Sequence, residues 1–336
     1  MEAHVLSHKT ARNYRCSLCC DLCLAVKNNT NPVMSIGNLT MDAAWKRTIC
    51  FVDPMDPSPW MQVPGFKSKK CRLLDILHIV HLGTLRDIIP SCLIDALDDG
   101  TLAQFYGLQG QNDDLILYRM SQHAHKWAKD QGLDLYVGTL NLHRLGLDNR
   151  KWPFPVLDSR IKAARCRTLF AFVTWLMTRL AAYPCQTQEQ QLNSRVRAVC
   201  CWTLDCALSI FNKNKKIKMR ASIVKQTVWL CRMHSACYQW LGARCIVQKR
   251  LLYKVRPKTH YFTHMVDHYE ETALCLLHLS TFGDEDFMGK VRRIAQSCHG
   301  QTYMHAWARR YVLKRAMQWS EMREKEKARF VPGDMG

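Results

Sequence analysis

The chain has 336 residues, 48% of them hydrophobic and 23% charged, with 48 Lys plus Arg against 28 Asp plus Glu and a formal net charge of +20. That apolar share supports a sizeable core in one large domain or two ordinary ones, and the charge favours a polyanionic partner, nucleic acid before acidic proteins or a membrane surface. Seventeen cysteines, and a start ("MEAHVLSHKTARNYR") with no apolar signal core, argue against a secreted disulfide scaffold and for reduced thiols in a nuclear or, alternatively, cytoplasmic protein.

In chain order, residues 1–27 carry "YRCSLCCDLCLAVK", and residues 28–70 are irregular, rich in Pro and Gly, with a short apolar segment "TICFV" (Thr48–Val52) that reads as a strand. Residues 71–99 read as a strand end passing into a helix that Pro90 kinks or divides. Residues 112–131 form an amphipathic helix opened by an Asn/Asp cap. "LDLYVGTLNLHRLGL" (Leu133–Leu147) alternates apolar and polar residues, the period of a strand or hairpin. A Pro-bearing loop follows. Beyond it the pattern is helical: Ser159–Ala182, Glu189–Asn212, Ser222–Gln248, Thr259–Leu279 and Glu285–Lys327, the last interrupted at Gly300. The most apolar run, Thr168–Thr178, ends at Arg179 and falls short of the ~20 residues a bilayer requires, so no membrane association is expected.

Five clusters offer chemistry. Asp75-x-x-His78 places two polar groups in an apolar run. The carboxylate suits Mg²⁺ or Mn²⁺, with His78 one turn on; equally, Asp75 caps the helix and His78 is a satisfied half-buried residue. Glu285 opens a helix in "FGDEDFMGKVRR" beside Lys290, Arg292 and Arg293. An acid next to cations fits a metal-assisted phosphodiester site, although the helix dipole alone accounts for Glu285. His260, His264 and His268 form an i, i+4, i+8 stripe, either an interfacial face or a zinc-binding pair. Cys16, Cys19, Cys20 and Cys23 are two adjoining Cys-x-x-Cys pairs: candidate zinc ligands, to be completed by Cys50, Cys71 or a His if crowding forbids all four, or else buried thiols. Lys213, Lys215, Lys216, Lys218 and Arg220 make a basic loop, suited to phosphate contacts or merely solvated.

Taken together, "LLDILHIVHLGTLRD", "RPKTHYFTHMVDH" and "DEDFMGKV" resemble, in that order, the C-terminal part of DDE transposases of the CACTA-like group. Asp75 and His78 match its Asp-x-x-His signature in a D-x-x-H-x-x-x-L-G setting, Pro257, Lys258, His260 and His264 match a later P-K-x-H-x-x-x-H helix, and Glu285 matches the final carboxylate. The resemblance implies an α+β, mostly helical chain: a partial RNase H-like core with a large all-helical insertion. The corresponding divisions are a Cys-containing segment 1–44, core 45–158, insertion 159–255, C-terminal helices 256–319 and a charged tail 320–336. It also implies Asp75, Glu285 and His78 as catalytic residues with Mg²⁺ or Mn²⁺ on the carboxylates, DNA as partner, and self-association through the helical region. The first catalytic Asp has no good counterpart. Asp53 precedes Asp75 by only 22 residues, too few for the intervening strands and helix, so a truncated and inactive transposase-derived protein is expected. The alternative is a non-enzymatic helical interaction protein with a structural zinc site.

Overall fold

In the computed structural model of this chain, residues 20, 22–27, 32–49, 74–147, 154–184, 187–214 and 216–281 are described, with scattered positions from 292 to 324. The chain divides into two compact units, residues 1–280 and 281–336. In the second, the described positions are helical at 308–313 and at points up to 324, with Val312, Leu313, Met317 and Trp319 exposed.

The first unit is mostly helical. Short 3₁₀ turns at Pro32–Met34 and Ala44–Thr48 precede a π-helical stretch, Leu77–Thr84, which runs directly into α1 (Leu85–Asp98). Then come α2 (Thr101–Tyr106), α3 (Asp113–Asp130), α4 (Ala163–Ala181), α5 (Gln188–Lys213), α6 (Ala221–Val247), α7 (Pro257–Thr272) and a 3₁₀ turn at Leu276–Leu279. α5 packs between α4 and α6, α6 against α7, and α7 and α4 each against the π-helical stretch. The ring closes on α1, whose residues from Asp87 to Leu97 are all buried. A helix buried on nearly every side lies in the core, and its polar members need internal partners. The Leu77–Asp98 stretch is long and apolar enough to cross a bilayer, but 83% of it is buried inside the protein.

Local chemistry sets the ends. Asn112 accepts a hydrogen bond from the Leu115 amide at 2.8 Å, the cap expected for α3. Thr187 and Gln190 form a reciprocal capping box on α5, with bonds of 3.2 and 2.9 Å. Pro257 takes the first turn of α7, where a missing N–H costs nothing. The helices expected at 159–182, 189–212 and 222–248 are found within a few residues of those bounds.

Four expectations are corrected. Among the described residues there is no β-sheet, only the isolated bridges Val26–Ser35 and Lys218–Leu274, so the α+β assignment is not met. Residues 133–140 alternate as expected, with Leu135 and Val137 buried and Tyr136 66% exposed, but they form an extended strap over α3 and not a paired strand. Its anchor is a side chain: the Leu140 amide donates to Ser121 Oγ at 2.8 Å. The segment around "TICFV" enters as a 3₁₀ turn, and residues 50–52 lie outside the described set. Pro90 does not divide its helix, which runs unbroken from Leu85 to Asp98. It cannot donate to the Arg86 carbonyl, and the Leu157 amide does so in its place at 2.9 Å, while the Arg86 guanidinium donates back to the Leu157 carbonyl at 3.1 and 2.5 Å.

Deep in the bundle, Asp95 is fully buried on α1 and accepts from Arg244 (2.6 Å), Arg250 (2.7 Å) and Tyr253 (2.9 Å), with Arg197 at 3.1 Å. Burial alone would raise its carboxyl. The three guanidiniums and the tyrosine outweigh burial and hold it below the ordinary carboxylate value. This network ties α1 to α5, to α6 and to the connection that follows α6.

Candidate metal centre

Cys20 and Cys23 belong to an N-terminal segment, residues 20–49, that lies on α7. The segment holds itself together through Leu24 N–H to Thr48 Oγ1 (2.9 Å) and Trp45 Nε1–H to Asn38 O (2.8 Å). It is fastened to the bundle by Lys46 to Asp267, at 3.0 and 2.8 Å, and by Gln239 to the Gly37 carbonyl at 2.6 Å. On α7, His260 and His264 stand one turn apart and therefore on one face. Trp45 is fully buried edge-on to both rings, with centroids 4.3 and 5.0 Å away.

Four donor atoms meet there, all within 4.8 Å of one another: Sγ of Cys20 and Cys23 and a ring nitrogen from each histidine. Cys20 Sγ is 3.4 Å from His264 Nε2, Cys23 Sγ is 3.2 Å from His260 Nε2, and the two Nε2 atoms are 3.1 Å apart. For tetrahedral zinc with Zn–S of about 2.3 Å and Zn–N of about 2.05 Å, trigonometry gives S···N edges of about 3.6 Å and an N···N edge of about 3.3 Å. These three edges lie within a few tenths of an ångström of those values. All four residues are buried, His260 and Cys20 completely. The Leu22 amide donates to Cys20 Sγ at 3.3 Å, a bond that favours thiolate. Burial pushes the Cys20 thiol well above its ordinary pKa, a hydrogen bond with Cys23 adding to the effect and His260 opposing it. The Cys20 thiol thus holds its proton until a cation displaces it. A divalent ion with two thiolates is neutral, which an apolar site accepts. Two sulfurs and two imidazoles suit zinc and do not suit Mg²⁺ or Mn²⁺.

The other expected residues fall as follows. Asp75 is buried and does two things at once. Its Oδ1 accepts from the Leu77 amide at 2.9 Å, and its Oδ2 meets His78 Nδ1 at 2.5 Å. The His78 side chain is half exposed. A buried carboxylate thus orients an imidazole at the surface. His81, a turn further on, is buried; burial first, and then Arg167, lower its pKa to about 4, so it is neutral. Gly83 has a steric reason: a Cβ there would stand 2.9 Å from Lys258 Cδ and 3.0 Å from the His78 carbonyl oxygen. Lys258 Nζ donates to the Leu82 carbonyl at 3.2 Å.

Of the four cysteines, Cys20 and Cys23 are joined by His260 and His264, a completion by histidine that the sequence left open, while Cys16 and Cys19 lie outside the described residues. His268 does not join the cluster. Glu285, Lys290, Arg293, Lys215 and Asp53 also lie outside the described residues; Arg292 is helical and exposed. Lys213, Lys216, Lys218 and Arg220 are exposed around the α5–α6 connection. No family model, curated protein or solved structure matches the chain.

Proposed function

We propose that this chain is a nuclear, DNA-binding protein of DDE-transposase descent, its helical body organised by a structural zinc centre and its Asp75–His78 pair the remnant of a metal-dependent strand-transfer site. The observation that carries this reading is a convergence. The D-x-x-H-x-x-x-L-G and P-K-x-H-x-x-x-H motifs, some 180 positions apart, touch: Gly83 is the residue over which Lys258 crosses, and Lys258 binds the Leu82 carbonyl. Two of the three motifs that carry the resemblance are thus packed together, as parts of an inherited site would be. In this reading residues 45–158 derive from an RNase H-like core, and Glu285 would complete the carboxylate set with Asp75 around Mg²⁺ or Mn²⁺. Little strand cleavage is expected, because Asp53 is too near Asp75 to serve as the first carboxylate of that core. The net charge of +20 supplies the attraction to DNA.

The test is binding to a labelled DNA duplex as salt is raised, together with Mn²⁺-dependent cleavage of the same duplex. The expected result is affinity that falls steeply with salt and negligible turnover. Salt-independent binding would remove the DNA reading, and turnover abolished by Asp75→Ala would show a complete enzyme.

A second reading is a non-enzymatic helical interaction protein. It is favoured by the closed, four-donor, buried character of the Cys/His centre, which leaves no open position for chemistry. Zinc at one equivalent by elemental analysis, with no DNA binding, would select it.

A further inference from the structure

Where α5 ends and α6 begins, the surface opens into a groove of about 570 Å³. Lys213, Lys216, Lys218 and Arg220 line it with the side-chain amides of Asn214 and Gln226, and no Asp or Glu is among the lining residues. All four cations are exposed. Their base is fixed. The Met219 amide donates to the Ala273 carbonyl and the Cys275 amide to the Ile217 carbonyl, both at 2.8 Å, and Met219 itself is buried, with its sulfur accepting from Tyr269 O–H at 3.1 Å. The 27-residue α6 also starts at this groove, with no side chain capping it and no acid in its first turn. Its first amides add partial positive charge to that of the side chains.

We propose that this groove is the seat of a nucleic-acid phosphodiester backbone. It rests on the DNA reading above but on neither the zinc centre nor the Asp75–His78 pair. The groove is concave, so a ridge of phosphates on a strand can enter it, whereas the planar array of a bilayer cannot. Its polar lining is four cations and two amides over an apolar floor of Ile210, Met219 and Ile223, a set that positions a backbone without selecting a base sequence. The backbone bonds at Ile217 and Met219 spare the backbone share of the ordering cost, leaving that of the side chains.

The test is fluorescence anisotropy with a fluorescein-labelled 20-bp duplex over a salt series. It compares the unmodified protein, the groove variant Lys213→Gln/Lys216→Gln/Lys218→Gln/Arg220→Gln, and a control, Arg119→Gln/Lys126→Gln/Lys129→Gln/Lys162→Gln, which removes the same charge from exposed positions elsewhere. The groove variant should bind roughly tenfold or more weakly at 0.15 M salt, with a log–log salt slope smaller by about 3, while the control should change much less. Equal losses in both variants would mean diffuse attraction and overturn the seat. An unaffected groove variant would overturn it too, leaving DNA binding intact but elsewhere. No duplex binding by the unmodified protein would remove both readings, and binding only to phosphatidylserine vesicles would replace the seat with a membrane contact. If the fourfold variant loses its cooperative melt, Lys216→Gln/Lys218→Gln is used, with about half the slope change expected.

Discussion

His234 sits at the centre of the α5–α6 contact, fully buried, its Nδ1–H donating to the Cys200 carbonyl at 2.8 Å. Burial lowers its pKa from 6.5 to about 4, with that hydrogen bond opposing the shift only in part. The folded protein therefore binds fewer protons here than the unfolded chain between those two values, and acidification from 6.5 toward 4 favours unfolding. Between pH 7 and pH 5 this histidine should remove roughly 2 kcal/mol of stability. Urea unfolding at both pH values, for the unmodified protein and His234→Gln, isolates its share; an equal loss in the two proteins would refute the assignment. His81, with its pKa also lowered to about 4, acts in the same direction. At this scale the sequence disclosed identity without company. Cys20-x-x-Cys23 and His260-x-x-x-His264 were each recognisable as half of a metal site, but spacing carries no information on partners about 240 positions away. The Asp95 network was silent for the same reason, since its arginines, Arg197 in one part of the chain and Arg244 and Arg250 in another, lie about 100 to 155 positions away.

The π-helical entry to α1 and the start of α7 meet at Gly83, and their separation is set by the missing side chain. Gly83→Ala puts a methyl against Lys258 and the His78 carbonyl, and overpacking of this kind costs about 1–3 kcal/mol. In a Lys258→Ala background the cost should shrink, because one of the two obstacles has gone. A thermal-melt double-mutant cycle measures that coupling, and strictly additive effects would show that the two helices do not meet there. The long helices were legible because three- and four-residue apolar spacing runs unbroken through α4, α5 and α6. The strap at 133–140 was misread for an instructive reason. Alternation reports that one face is buried, and an extended chain lying on helix α3 satisfies it as well as a sheet does. The continuity of α1 through Pro90 was hidden as well: the donor that replaces the Pro90 amide belongs to Leu157, in a loop whose position no local pattern encodes.

In the first unit, residues 20–49 are joined to α7 by the candidate metal ligands, the Lys46–Asp267 pair and the edge-on contacts of Trp45. Removal of zinc by a strong chelator should therefore loosen this segment before the bundle. Hydrogen exchange of backbone amides around Leu24, Val26 and Ile36 should rise at least tenfold, an opening easier by about 1.4 kcal/mol, while α1 and the α5–α6 pair stay protected. Uniform loss of protection would show instead that the ion holds the entire fold, and no change would show that the site is not occupied in solution. The same centre has a consequence for biosynthesis. Cys20 and Cys23 leave the ribosome first, and His264 follows about 240 residues later; at roughly 5–20 residues per second that is an interval of roughly 12–50 s. Throughout it the growing chain carries two unmatched thiols, so the last fastening of the first unit must wait until nearly all of that unit has been made.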